Sequence, residues 1–98
     1  MTMMNREDGT MTVVQPLLDE VGEILEERQA EYGDSADHHR RTAQVWSALF
    51  GWEVGPDDVC MAIAADKMVR RRTSPGKRDH YADIIGYVVK AHDRAMER

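Results

Sequence analysis

Cysteine is almost absent. Cys60 is the single thiol in 98 residues, which excludes an intrachain disulfide and fits a reducing cytosol. Its neighbours Val59, Met61, Ala62 and Ile63 are apolar, so the thiol reads as a core residue rather than a reactive one. Aromatics are scarce too, at 6%, against 42% hydrophobic and 32% charged residues. That balance suits a small soluble helical domain better than a β-sandwich or a disordered chain. An excess of positive charge is also missing. The formal net charge is -5, which argues against duplex nucleic acid as a partner, since that needs a basic footprint. The local basic run Lys67 to Arg72 leaves contact with a phosphate-bearing small molecule open. No run is long or apolar enough for a signal peptide or a membrane span. The expectation is a cytoplasmic protein that works where it is made.

What is present is helical periodicity. Residues 1–15 are expected to be a loose, methionine-rich tail, with Met1, Met3, Met4 and Met11 as alternative starts. Pro16 fits the first turn of a helix running to about Tyr32, and Gly33 is a natural terminator. Asp34 or Ser35 can cap a second helix that runs to Phe50 and is ended by Gly51. Pro56-Asp57-Asp58 opens a third, which continues to about Arg72. This third helix is apolar nearly all round from Val59 to Ala65, so it is expected to be central. A fourth begins near Ser74 or Asp79 and runs to the end. Residues 16–98 thus form one expected domain, all-α, a compact antiparallel bundle of about four helices. Trp46, Phe50, Trp52 and Tyr81 supply more aromatic area than so small a core needs, which points to an interface and a homodimer.

The first helix carries an unusual stripe: Glu20, Glu23, Glu27 and Glu31. At about 100° per residue they fall within roughly 80° of arc, beside the apolar face of Leu17, Val21, Ile24 and Leu25. Each like-charge step of four residues costs about 0.2–0.5 kcal/mol. Three readings stand side by side. The stripe is a solvated flank with Arg28 reaching Glu31, or it is a magnesium or manganese site, or basic residues of the same chain answer it. Hard cations take several carboxylate oxygens and keep water and phosphate oxygens as further ligands.

Other polar groups carry similar alternatives. His39 shares a face with Thr42, Ala43, Trp46, Leu49 and Phe50, so it is a satisfied core residue or an acid–base group. Asp66 and Arg70 have the spacing of a helical ion pair; alternatively Lys67 and Arg70 project into a cleft and hold a phosphate. Asp79 and Asp83 lie four apart, opposite the apolar face of Tyr81, Ile84, Ile85, Val88, His92 and Ala95. Asp79 can cap the fourth helix, and Asp83 needs a neighbouring helix or subunit to acquire a role. Gly86 in mid-helix costs about 0.5–1 kcal/mol relative to alanine, which suggests close packing there.

Taken in order, these residues resemble a known pattern. Glu31-Tyr32-Gly33-Asp34, His39, Trp46, Pro56-Asp57-Asp58, Lys67 with Arg70, and Asp79-His80 with Asp83, Gly86 and Tyr87 are similar to a family of small phage and prophage proteins of unknown function. The resemblance runs from about Glu27 to Tyr87. More distantly, the layout is similar to the MazG-like all-α nucleoside triphosphate pyrophosphohydrolases. Those pair a Glu-x-x-Glu with a later Glu-x-x-Asp to bind the magnesium that carries the triphosphate. Glu20 and Glu23 match the first spacing, and Glu27 and Glu31 extend it. The second motif is replaced by Asp79 and Asp83. The resemblance implies Glu23, Glu27, Glu31 and Asp83 as metal ligands, with Glu27, Glu31 and Asp83 catalytic. Lys67 and Arg70 would then contact phosphate, with Tyr32, Asp34, His39 and Asp79 as further candidates. It also implies a dimer in a host cytosol, with a nucleotide as ligand. The alternative is a non-enzymatic phage protein that binds a host protein through its acidic helical face.

Overall fold

The computed structural model describes the backbone of residues 11–32 and 35–97, and the side chains of 12–30 and 35–97. Four α-helices account for most of it: α1 (Met11–Tyr32), α2 (Ser35–Phe50), α3 (Pro56–Arg70) and α4 (Arg78–Ala95). A short 3-10 turn, Arg71–Thr73, follows α3. Among the described residues there is no strand. The expected all-α bundle is what forms.

Local chemistry explains most of the boundaries. Pro56 stands in the first turn of α3, and Asp58 Oδ2 accepts the Gly55 N–H at 2.8 Å, closing half of a capping box. Gly51 ends α2 with φ +79° and donates its N–H to Ser47 O at 3.0 Å. That is the left-handed region, which glycine enters without a Cβ penalty. The Thr73 hydroxyl donates to Arg70 O, and the Tyr81 hydroxyl to Pro75 O, so both sides of the α3–α4 connection are tied down.

Two expectations change, and the expected central place of the third helix is kept. Helix α1 begins at Met11, so Pro16 lies at its sixth position, in the second turn instead of the first. A proline there donates no hydrogen bond to the preceding turn, but Gln15 Nε2 donates to Asp19 Oδ1 across it at 2.7 Å. Asp79 does not cap α4. It is the second helical residue, Lys77 holds the cap position, and no side chain caps that end. Helix α3 shares the centre with α4: α1 packs on α4, α4 on α3, and α3 on α2. Of the expected tail over residues 1–15, residues 11–15 are helical; its remainder, the terminator Gly33 and the cap Asp34 lie outside the described residues.

The core is narrow. Its buried apolar residues are Val21, Ala36, Ala43, Val59, Cys60, Ala64, Ala82 and Ala91, and the largest fully buried side chains are Val59 and Cys60. Alanines let the helices approach closely, and the buried Gly86 lies at one such contact. A Cβ placed there would stand 3.7 Å from Leu25 Cδ2, so α1 crosses α4 at that point. The larger side chains are displaced outward. Leu49 is 72% exposed, Trp52 65% and Val69 68%.

Candidate functional site

Helix α4 is packed on two sides, and this decides the fate of Asp83. The wheel set it opposite the apolar face, toward solvent. In the bundle, that side is covered by α1. Ala82 and Gly86 are buried, and Asp83 is half-buried beside them. Lys67 Nζ of α3 reaches Asp83 Oδ2 at 3.6 Å, and Arg28 Nη2 of α1 reaches Oδ1 at 3.9 Å. The Tyr87 ring lies below, with Lys67 Nζ 5.9 Å and Lys90 Nζ 5.0 Å from its centroid. The free space between Arg28, Asp83, Tyr87 and Lys90 is about 10 Å³, room for one water.

The glutamates of α1 do not join this group. Glu20 is ion-paired with Arg78 at the start of α4. Glu23 and Glu27 are exposed, as is Glu26 between them, and none of the three makes an ion pair among the described residues. The side chains of Glu31 and Tyr32, and all of Asp34, lie outside the described residues. Arg70 pairs with Asp66 at 3.0 Å, and both are exposed. Asp79 is exposed as well. Among the described residues, no group of three or more histidines, cysteines, aspartates or glutamates converges to hold a metal ion. Asp83, already flanked by two cations in a space of one water, does not fit a shared magnesium site with Glu23 and Glu27.

His39 is 2% exposed, at the centre of a buried polar group. Arg94 Nε donates toward His39 Nδ1 at 3.4 Å, and Cys60 Sγ lies 3.4 Å from the same nitrogen. Arginine only donates, so Nδ1 is the acceptor in that contact. Burial pushes the Cys60 thiol above its usual 9.0; Asp57 adds to this, while Arg94 and Lys90 oppose it. That is the chemistry of an inert core thiol, as its apolar neighbours implied.

Beyond Asp83, α4 turns a second polar surface toward α1. A cavity of about 290 Å³ opens there, lined by Leu25, Gln29, Ser35, Val89, Lys90, His92, Asp93 and Arg94. Arg94 is 6% exposed, and bonds Ser35 Oγ at 3.4 Å, Asp93 at 2.8 Å and Glu97 at 3.4 Å. Burial lowers the Lys90 pKa from 10.5; Arg28 and Arg94 lower it further, while Cys60 opposes. Reading the sequence singled out Lys67 and Arg70 and missed this pair. The available signal was spacing: Asp83, Tyr87, Lys90 and Arg94 follow one another at three or four residues, a single stripe on α4.

Among the described residues, no helix is long and apolar enough to cross a membrane. No solved structure matches the chain. Among curated proteins, it is similar to the Gene 55 protein of Mycobacterium phage L5, 34% identical over 62 residues. The match covers 62% of this chain and 40% of that relative, so the chain spans well under half of the relative's length. Residues 16–95 match one family model throughout, and the chain belongs to that family, described as a domain of unknown function (DUF6378).

Proposed function

We propose that this chain is a phage-type binding protein that works as a homodimer in the host cytosol and presents the acidic face of α1 to a basic protein surface. One observation carries the reading. Glu20 and Asp83, both half-buried, are each held by a base, whereas Glu23, Glu26 and Glu27 are exposed and unpaired among the described residues. Repulsion between Glu23 and Glu27 destabilises an isolated helix. A positive partner relieves it, and charge complementarity then selects that partner.

The dimer rests on the far end of α2. Phe50 stacks on Trp52 at 5.4 Å and meets Trp46 edge-on at 6.4 Å, yet Phe50 is 51% and Trp52 65% exposed. At 150–250 Å² per aromatic side chain, these two leave roughly 250 Å² of ring in water. Val45 and Leu49 extend the patch, toward the size that marks an interaction surface. Sedimentation tests the dimer, which Trp52→Glu converts to monomer. Capture of one host protein, lost on Glu23→Lys with Glu27→Lys, tests the acidic face. Retention of the same protein by the reversed chain refutes it.

A second reading draws support from the basic cavity on α4. The chain is a MazG-like relative that still binds a nucleotide. Hydrolysis through magnesium held by Glu23, Glu27, Glu31 and Asp83 requires those carboxylates to meet, and the described ones do not. Binding without turnover is therefore the favoured form. A nucleoside triphosphate that raises the melting temperature through linkage supports it; no shift with any of them removes it.

A further inference from the structure

We propose that the cavity between α1, α4 and the start of α2 binds the phosphate groups of a small molecule, held by Lys90 and Arg94. At about 290 Å³, the space stands near the lower end of small-molecule sites and far above one water. Arg94 is a fixed donor. It is buried, and Ser35, His39, Asp93 and Glu97 hold its guanidinium in place. Little side-chain freedom is lost when a ligand reaches it. Lys90 is the complement: half-buried, on the cavity wall, and without a carboxylate partner among the described residues.

The remaining surroundings favour an anion. Gln29 and Ser35 add neutral hydrogen-bonding groups to the wall. Ser35 also opens α2, a 16-residue helix whose positive end therefore borders the cavity. Asp93 shares the wall and, with Glu97, pairs with Arg94, so Lys90 supplies the charge unpaired among the described residues and Arg94 supplies hydrogen-bond donors. Burial weakens the ammonium form of Lys90, and Arg28 and Arg94 add to this as positive charges, against an opposing effect of Cys60. A bound oxyanion beside Lys90 favours its charged form. One unpaired ammonium beside a fixed guanidinium and neutral donors offers several hydrogen bonds, which suits the several oxygens of a phosphate. The site deepens the nucleotide reading by naming the residues that hold the phosphates, and it stands apart from the acidic face of α1.

Calorimetric titration of the full chain with tripolyphosphate and with ATP, at fixed ionic strength, tests the site. Both anions are expected to bind the wild type. Lys90→Gln weakens tripolyphosphate by about tenfold or more, the loss of one charge-assisted hydrogen bond, and Lys90→Arg restores most of it. In the wild type, tripolyphosphate shifts the side-chain NMR signals of Lys90 and Arg94, a readout that needs no variant to fold. Tripolyphosphate that binds as tightly as ATP keeps the phosphate site and removes the nucleotide reading. ATP binding that Lys90→Gln leaves unchanged overturns the site and keeps the nucleotide reading. No binding of either anion, or signal shifts confined to other residues, overturns the site.

Discussion

Lys67 and Asp83 form an ion pair across the α3–α4 contact, Nζ to Oδ2 at 3.6 Å, with both side chains about three-quarters buried. Arg28 approaches the same carboxylate from α1. One aspartate thus ties together three helices. It stands where the sequence suggested a metal ligand, and two cations flank it there.

Asp83→Asn is expected to destabilise the bundle by about 1–2 kcal/mol. Lys67 and Arg28 then face each other with no counter-charge, between the cost of a surface pair and that of a buried one. Lys67→Gln costs less, because Arg28 still serves the carboxylate. Urea unfolding of the two single variants and the double variant measures the coupling. A neutral Asp83→Asn contradicts the three-helix role.

Two glycines should respond in opposite directions. Gly86→Ala raises stability by about 0.5–1 kcal/mol, since the helix gains its preferred residue. The new Cβ meets Leu25 at an ordinary contact of 3.7 Å. Gly51→Ala lowers stability by about 1–2 kcal/mol, because φ +79° strains any residue with a Cβ. Thermal unfolding separates the two signs.

The buried thiol gives a pH signature. Its folded pKa is raised above 9.0, so above that pH the unfolded chain loses a proton that the folded chain keeps. The contribution of Cys60 is fully present below pH 9.0 and is lost as pH rises through the folded value. Lys90 works the other way. Its folded pKa lies below 10.5, so its unfavourable contribution fades as pH rises toward 10.5. Cys60→Ala should therefore flatten the loss of stability above pH 9.0, measured by urea unfolding across that range. A thiol reagent should leave the native chain unmodified and label it once unfolded.

The helices were legible because their signals are local. Pro56 with Asp58 and the ending of α2 at Gly51 each depend on residues within one turn. The Asp66–Arg70 pair was legible for the same reason. Asp83 was misread because a helical wheel shows one apolar face, whereas α4 packs on two helices and buries a second face of Ala82 and Gly86. The start of α1 was misplaced because proline was taken as a first-turn residue, although Met11 to Gln15 continue the helix. Lys90 and Arg94 went unnoticed because their meaning comes from α1 and Ser35, neither of which is near them in sequence.

The account turns on Glu23 and Glu27 being kept free for a partner. The direct measurement is affinity capture from host extract by the wild type and by a chain carrying Glu23→Lys with Glu27→Lys, alongside a melt showing that both are folded. The account predicts one protein, bearing a basic surface, retained by the wild type and absent from the reversed chain. Retention of that protein by both chains contradicts it, and so does a reversed chain that no longer folds, because the glutamates would then hold the bundle together rather than face outward.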